Sequence, residues 1–473
     1  MEFEGQNVLV LGFGVSGRSA AKFCAERGAR VVVADENRRE PSEMDAAQMF
    51  AAAIRGDVEL RIGRTFPNFA DFDLVVPSPG IPEARWAGQA ERVWGDIELC
   101  YRALQVPIIA VTGTNGKSTV VRLIEAMAQA AGLRAKAAGN LGIPALSLVG
   151  EPLDVAILEI SSFQLESIDT FKPRTAVLLN ISPDHLDRHG DLEGYRAAKA
   201  KIFARQTEGD SAILNGDDAL TTSIELPAKT ERLEFRHHLI GSAAGVSIED
   251  AVVAAGVDGA WLDGRNAIVR RGGRQQSVSI ETGTAAGTNP VDAAQPQQDE
   301  NVLAALLALA TLDADLEAAT GALAEFRGLP HRCEPVAEVN GVLYVNDSKA
   351  TNVGAAAQAL SSFAQPIIWI AGGRHKGGPL ESLAASAADR VKQALWIGEA
   401  ANELESVIGG SLPTEHVRTL RNAIKRAAEL AEPGDVVLLA PACASFDQFA
   451  SFEDRGRQFT AAVKTLAAMK GNA

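Results

Sequence analysis

Cysteine is scarce in this chain. Four thiols, Cys24, Cys100, Cys333 and Cys443, stand far apart in 473 residues, with neither Cys-x-x-Cys spacing nor a Cys/His zinc pattern. That excludes a disulfide framework or zinc module and fits a reducing compartment. Basic residues are in deficit as well: 45 Lys and Arg face 60 Asp and Glu, a formal charge of −15. A general nucleic-acid or anionic-membrane binder shows the opposite balance, so any anionic ligand must be held by local cations, backbone N–H groups or metal ions. Long apolar runs are missing too. No stretch approaches the roughly 20 residues of a membrane span, and the N-terminus carries Glu2 and Glu4 where a secretory leader needs base. A cytoplasmic protein is expected.

What is present is the profile of a folded chain, 47% hydrophobic and 22% charged, long enough for two to four domains. Short apolar runs recur between longer alanine-rich helical patterns: Val8–Leu11, Val31–Ala34, Leu74–Val76, Ile108–Val111, Val155–Ile160, Ala176–Leu179, Ala212–Leu214, Ile367–Ile370, Ala394–Ile397 and Val436–Ala440. Strands covered by helices on both faces read this way, so the class is α/β, repeated more than once. A helical stretch is predicted over Ala84–Leu104, antiparallel hairpins over 230–282 around Gly256-Val257-Asp258-Gly259 and Gly272-Gly273, and a structureless break over Gly283–Glu300 before a helix from Asn301 to Leu312. Three domains are expected: 1–95, 96–328 and 329–473.

Two loops carry chemistry. Gly12-Phe13-Gly14-Val15-Ser16-Gly17 follows the first strand, and Asp35 ends the next one. Glycines there let a backbone approach a pyrophosphate at a helix N-terminus while an acid reaches a ribose. Taken alone, the motif leaves open a nicotinamide cofactor, another nucleotide-linked ligand, or merely a tight turn. The second loop, Thr112-Gly113-Thr114-Asn115-Gly116-Lys117-Ser118-Thr119, lies between a strand and a helix predicted over Val120–Ala130. Successive N–H groups can cradle phosphate, Lys117 can neutralise it and the Ser118 hydroxyl can ligate Mg²⁺, which predicts ATP use. The usual first glycine is replaced by Val111.

Gly113-Thr-Asn-Gly-Lys-Ser-Thr119 resembles the ATP loop of the Mur ligase family, and the likeness extends along the chain. It includes Gly139-Asn-Leu-Gly-Ile-Pro-Ala145, Glu159-Ile-Ser-Ser-Phe-Gln-Leu165, Asn180-Ile-Ser-Pro-Asp-His-Leu-Asp187, Tyr195-Arg-Ala-Ala-Lys199, Gly328-Leu-Pro-His-Arg332, Asn346-Asp-Ser-Lys-Ala-Thr-Asn352, Gly372-Gly373 with Lys376-Gly377, and Pro441-Ala-Cys-Ala-Ser-Phe-Asp-Gln-Phe449. The resemblance implies three α/β domains: an N-terminal Rossmann-like domain, a central P-loop-type domain and a C-terminal Rossmann-like domain. It implies an ATP-dependent amide ligase, acting through an acyl phosphate, that joins D-glutamate to UDP-N-acetylmuramoyl-L-alanine. The competing readings are a related ligase for another amino acid, a dehydrogenase, and a non-catalytic nucleotide binder.

Carried over residue by residue, the resemblance gives ATP the loop Gly113, Thr114, Asn115, Gly116, Lys117, Ser118 and Thr119, with Asn301, Arg332, Asp347 and Lys349. It gives Mg²⁺, two ions in all, Ser118, Glu159, His185 and Lys199. The catalytic set is Lys117, His185 and Lys199. By spacing alone Lys199 reads as a solvated lysine beside Lys201; in the family it is carbamylated by CO₂ and becomes an anionic ligand. Asp184, Asp187 and His189 read as supporting or solvated groups. The UDP-linked substrate falls to Val15, Ser16, Gly17, Asp35, Gly80, Asn140, Ser161 and Gln164, which accounts for the first glycine motif without NAD. D-glutamate falls to Thr351, Lys376, Ser445 and Phe452. The sequence departs from the family at Gln297-Gln298, in place of a His-Asn pair, and at Arg374-His375. Cys333 and Cys443 read as small buried hydrophobes. A monomer is expected, with the third domain closing over the ATP loop on binding.

Overall fold

The computed structural model describes residues 1–38, 40–237, 258–280, 296–326, 328–388 and 390–470, the side chains of 41, 296–298 and 470 excepted. Of the expected break over Gly283–Glu300, residues 283–295 lie outside them, as do Gly256-Val257, whereas 296–300 are not structureless but open the helix Pro296–Ala310. The described strands form three sheets. The first holds β1 (Asn7–Leu11), β2 (Arg30–Asp35), β3 (Asp57–Ile62) and β4 (Leu74–Pro77), all parallel in the order β3-β2-β1-β4. Because β1 has β2 on one side and β4 on the other, the loops after β1 and β4 open a crevice at the carboxyl edge, where open α/β sheets bind ligands.

The second sheet holds β5 (Ile108–Thr112), β6 (Ala135–Gly139), β7 (Val155–Glu159), β8 (Thr175–Leu178), β9 (Ser211–Asn215), β10 (Glu231–Arg236), β11 (Asp258–Asp263), β12 (Asn266–Arg271) and β13 (Arg274–Ser279). Its order is β13-β12-β11-β10-β9-β8-β5-β7-β6. The chain turns from one side of β5 to the other between β7 and β8, which puts the loop after β5 at a second switch point. β5, β7, β8 and β9 are buried along their whole lengths, as strands covered on both faces must be. The expected hairpins are present as β11-β12-β13, but β10 runs parallel to both β9 and β11.

The third sheet holds β14 (Glu334–Val339), β15 (Val342–Asn346), β16 (Ile367–Gly372), β17 (Val391–Ile397), β18 (Thr414–Arg418) and β19 (Val436–Leu439) in the order β14-β15-β19-β16-β17-β18. Only β14 is antiparallel to its neighbour. Alternation with period 2 divides its core. Trp369 and Trp396 pack edge to face on one side, ring centroids 5.2 Å apart, while Ile368, Ile370 and Leu395 pack on the other.

The helix predicted over Ala84–Leu104 is much shorter: a single 3₁₀ turn at Glu83–Arg85 and an α-helix at Asp96–Ala103. Between them the backbone pairs with β4, Val75 N donating to Arg92 O and Trp94 N to Val75 O. Sheet hydrogen bonds and the burial of Trp86 override the local helical pattern there. By contact density the described residues fall into two compact units. One contains Met1–Ile181, the region from Arg196 through β13, and Glu300–Leu323; the other contains Ser182–Tyr195 and Ala324–Ala473. Among the described residues no helix is long and apolar enough to cross a membrane.

Candidate active site

In the first unit the loop after β5 is shaped by glycine and held by its neighbours. Gly116, at φ +82°, caps the helix Lys117–Ala130, a conformation costly for any residue with a Cβ. Thr114 N donates to Asn180 O and Asn115 N to Asn180 Oδ1, at 3.0 and 2.8 Å. Lys117 folds back over the turn, its Nζ 2.7 Å from Gly113 O and 2.8 Å from Thr114 O. Lys199 donates to the same Gly113 carbonyl at 2.8 Å and is only 1% exposed. The solvated reading of Lys199 taken from its spacing is therefore wrong. Helix Leu192–Ala200 turns this side chain inward onto the phosphate loop.

Glu159 ends β7, 2% exposed. Its Oε1 accepts from Asn140 Nδ2 at 2.8 Å, whereas the buried Oε2 has no hydrogen-bond partner. A buried carboxylate oxygen without a donor is costly, and a hard divalent cation satisfies it. Among the described residues no three His, Cys, Asp or Glu side chains cluster as a metal site. A magnesium ion bound by Glu159 would complete its shell with other donors, such as hydroxyl, substrate and water oxygens; Glu159 fits such a mixed set. Gly139 packs so closely on this strand that a Cβ would lie 2.2 Å from Glu159 O.

The crevice of the first sheet is equally tight. A Cβ on Gly17 would sit 1.9 Å from Gly12 O, so helix Val15–Ala25 can start directly on the turn only with glycine there. Val15 and Gly80 are exposed at the rim. Asp35 is 5% exposed and turned into the turn, accepting from Phe13 N and Asn37 N at 2.9 Å each. A residue that sequence reasoning missed, Asp96, begins helix Asp96–Ala103 and accepts hydrogen bonds from Gln164 and the Ile97 N–H, with the Ser16 side chain nearby. Burial pushes its carboxyl up against those bonds. Nothing in the local sequence marks this carboxylate, since an acid in the first turn of a helix is ordinary. Asn301, from helix Pro296–Ala310, is buried in the same unit.

The second unit gathers the remaining expected residues in two groups. Around Asp347, the loop before β14 carries His331 and Cys333 in left-handed conformations, φ +64° and +43°, on either side of Arg332. Cys333 N donates to Asp347 Oδ1 at 3.3 Å. Burial raises the Asp347 carboxyl to about 6, against hydrogen bonding by Cys333 and the nearby Arg332. Lys349 Nζ lies 3.9 Å from the centroid of the Phe452 ring, and Ser348 Oγ donates to Phe452 O. Arg455, fully buried and also missed in the sequence, donates to Ser348 Oγ and O and to the carbonyls of Gly372 and Cys443. It thereby joins the loops that carry Lys349, Lys376 and Ser445; Ser445 itself is 2% exposed.

The other group centres on Asp184, which is buried and paired rather than solvated. It accepts from Asn352 Nδ2 at 3.0 Å and faces Lys376 Nζ at 3.2 Å. Burial opposes its charge, but Lys376, His185 and Asn352 together hold its carboxyl below the ordinary value. Thr351 adjoins this pair in sequence and is half-buried. His185 has φ +53°, a left-handed conformation uncommon outside glycine. Arg374 forms a double hydrogen bond with Glu399 and His375 Nδ1 lies 2.9 Å from Glu403, so both departures from the family are matched by acids. Cys443 is buried as expected and Cys333 only half-buried; desolvation and Asp347 lift the Cys333 thiol well above its ordinary value, and burial lifts Cys443 to about 12, which disfavours the thiolate of both.

Three family models match the chain in order: the Mur ligase MurD-like N-terminal domain over residues 6–92, the Mur ligase middle domain over 111–257 and the Mur ligase glutamate ligase domain over 331–443. The UDP-N-acetylmuramoylalanine--D-glutamate ligase of Geobacter metallireducens is 38% identical over 98% of this chain and 99% of its own. That of Anaeromyxobacter dehalogenans is 40% identical over 97% of each. Among solved structures, MurF from Acinetobacter baumannii aligns with TM-score 0.60 at 16% identity, covering 96% of this chain and 93% of that one. A pseudomurein peptide ligase type C from Methanothermus fervidus aligns with TM-score 0.58 at 16% identity, covering 98% and 100%. The structures share the fold; the sequence relatives, matched along nearly their full lengths, show that the chain belongs to the Mur ligase family.

Proposed function

We propose that this chain is an ATP-dependent amide ligase that adds D-glutamate to UDP-N-acetylmuramoyl-L-alanine, in the cytoplasmic synthesis of peptidoglycan precursors. A carboxylate does not acylate an amine unless it is activated. An oxygen of the alanyl carboxylate attacks the γ-phosphorus of ATP, the bond to the ADP oxygen breaks, and an acyl phosphate forms. The neutral amine of D-glutamate then attacks the acyl carbon, loses a proton to solvent, and the C–O bond to phosphate breaks. The products are the amide, ADP and inorganic phosphate. Positioning and charge neutralisation supply most of the acceleration in such phosphoryl transfer.

The proposed assignment of residues follows the resemblance and the local geometry together. Lys117 neutralises the transferred phosphoryl group, and the loop from Gly113 to Thr119 cradles the ATP phosphates, with Asn301, Arg332, Asp347 and Lys349 as further nucleotide contacts. Ser118, Glu159, His185 and a carbamate on Lys199 would hold magnesium, whose chemistry when bound is neutralisation of phosphate charge. Carbamylation consumes CO₂ and the neutral amine and yields an N-carboxylate and a proton, replacing a cation beside the phosphate loop by an anion. Val15, Ser16, Gly17, Gly80, Asn140 and Ser161 contact the UDP-linked substrate, while Asp35 and Gln164 shape its loops. Thr351, Lys376, Ser445 and Phe452 take D-glutamate. The domains are proposed as 1–95, 96–328 and 329–473.

The observation that carries the reading is Lys199, buried and hydrogen-bonded to Gly113 O of the phosphate loop. A nucleotide binder without chemistry has no use for a second lysine there, buried behind the loop of Lys117. Isotope transfer tests the route: with ¹⁸O in the alanyl carboxylate, one labelled oxygen is expected in the released phosphate. Unlabelled phosphate accompanying amide formation would exclude the acyl phosphate.

A further inference from the structure

Two buried acids begin the helix Asp96–Ala103, and they serve different ends. Glu98 accepts from the backbone N–H groups of Asp169, Thr170 and Phe171 and from Arg102, so it fixes a loop. Asp96 looks elsewhere. It is 3% exposed, and its carboxylate accepts, through both oxygens, from Gln164 Nε2 at 3.3 and 3.1 Å, with the Ser16 side chain near enough to favour its charged form. Ser16 opens the helix after β1; Gln164 lies in the loop after β7. One carboxylate therefore stands between the carboxyl edges of two sheets, bonded to Gln164 on one side and facing Ser16 on the other.

The connection continues past Gln164. Its Oε1 accepts from Ser161 N at 3.1 Å and Ser161 Oγ at 3.2 Å, and its own N–H donates to Ser161 Oγ. Gln164 is 2% exposed, so its amide is turned to Asp96 and Ser161. The backbone beneath Asp96 has little room to move. Gly95 N donates to Ser167 O at 2.8 Å, and a Cβ on Gly95 would lie 2.1 Å from Ser167 Oγ.

We propose that Asp96 is a positioning residue for the UDP-linked substrate, fixing Ser16 on the first sheet and, through Gln164, Ser161 on the second. This rests on the assignment of Ser16 and Ser161 to that substrate. The carboxylate holds the Gln164 amide, which in turn holds the Ser161 hydroxyl, and the carboxylate faces the Ser16 side chain; with both set before the ligand arrives, the ordering cost is met during folding. No contact of Asp96 with substrate is required.

Asp96→Asn keeps the shape but sets an amide N–H₂ against the Gln164 amide donor. Its KM for UDP-N-acetylmuramoyl-L-alanine is expected to rise about tenfold, with KM for ATP and D-glutamate within about twofold of wild type. The pair Asp96→Asn with Gln164→Glu exchanges donor and acceptor and restores the link, returning that KM to within about threefold. Glu98→Gln is expected to lower the melting temperature without a selective KM change. Should Asp96→Asn not accumulate, Gln164→Leu breaks the same link and carries the same expectation. An unchanged KM for the UDP-linked substrate, a parallel rise in all three KM values, or a double variant no better than the single one would overturn the proposal. Calorimetric binding of UDP-N-acetylmuramoyl-L-alanine, followed alongside, separates this inference from the ligase reading. Selective weakening in Asp96→Asn supports it even if no amide forms with D-glutamate, whereas absence of binding to the wild type defeats it.

Discussion

Replacing Lys199 by methionine separates stability from activity. The ammonium is 1% exposed, and its Nζ donates to Gly113 O at 2.8 Å. Removing an ammonium from water costs several kcal/mol, while a charge-assisted hydrogen bond to a carbonyl returns about 1.5–3 kcal/mol. Gly113 O keeps Lys117 Nζ at 2.7 Å, so the carbonyl is not orphaned by the change. Methionine also retains most of the stem volume. In bicarbonate-free buffer Lys199→Met is therefore expected to stay within about 3 kcal/mol of wild-type stability, measured by thermal or urea unfolding. Turnover, measured by phosphate release, is expected to fall at least about a thousandfold, roughly 4 kcal/mol of transition-state stabilisation. Lys199→Ala leaves space at the same point, and added acetate or formate should restore part of its activity by supplying the missing oxygens. Retention of more than about a tenth of wild-type turnover by Lys199→Met would refute the reasoning. So would a stability loss above about 3 kcal/mol that accounts for the activity loss, since the lysine would then be a structural tie.

Glu159→Gln removes charge while keeping shape; half-saturating Mg²⁺ should rise about tenfold or more, and an unchanged metal requirement would remove Glu159 from the metal set. Asp347 gives a pH signature. Its carboxyl is raised from 3.8 to about 6, so between those values the folded chain keeps a proton that the unfolded chain has lost. Stability is then whole below pH 3.8 and falls as pH rises through about 6, by at most about 3 kcal/mol at 1.36 kcal/mol per pKa unit. Asp347→Asn should accordingly raise the melting temperature at pH 7.5 but not at pH 4, while weakening ATP binding in calorimetry. Lys376→Ala, which removes the cation facing Asp184 and proposed to hold D-glutamate, should raise the KM for D-glutamate about 10- to 100-fold with the KM for ATP little changed.

Much of the fold was legible because parallel strands buried on both faces must be runs of apolar residues; β1, β5, β7 and β16 stand where those runs do. One strand of that kind escaped notice, β15, Val-Leu-Tyr-Val-Asn and buried throughout; others that escaped differ in composition or exposure. β6 is Ala-Lys-Ala-Ala-Gly, whose alanines carry no strand preference, and β3 and β18 are edge strands with half-exposed, charged sequences. The helix expected from Ala84 was displaced by pairing with β4, a tertiary effect no local pattern contains. At the site, the phosphate loop was readable from its glycines and Lys117, since only certain residues suit that turn. Lys199 was not readable from spacing: its burial depends on which face of a short helix meets Gly113, and only the family resemblance pointed to it. Asp96 and Arg455 were missed for a similar reason. Their partners, Gln164, Ser348 and Cys443, are distant in sequence, so the carboxylate and guanidinium gain meaning only when the loops meet. The negative total charge is consistent with the proposed anionic substrates, to which Lys117, Arg332, Lys349 and Lys376 are assigned as local cations.

The most direct test of the central claim is phosphate release by the purified chain with ATP, Mg²⁺ and UDP-N-acetylmuramoyl-L-alanine, comparing D-glutamate, L-glutamate, L-lysine and meso-diaminopimelate, with the product identified by mass spectrometry. The account predicts release dependent on both the UDP-linked substrate and D-glutamate, with one D-glutamate joined by an amide. Release driven equally by another of these amino acids, or none with D-glutamate, would contradict it.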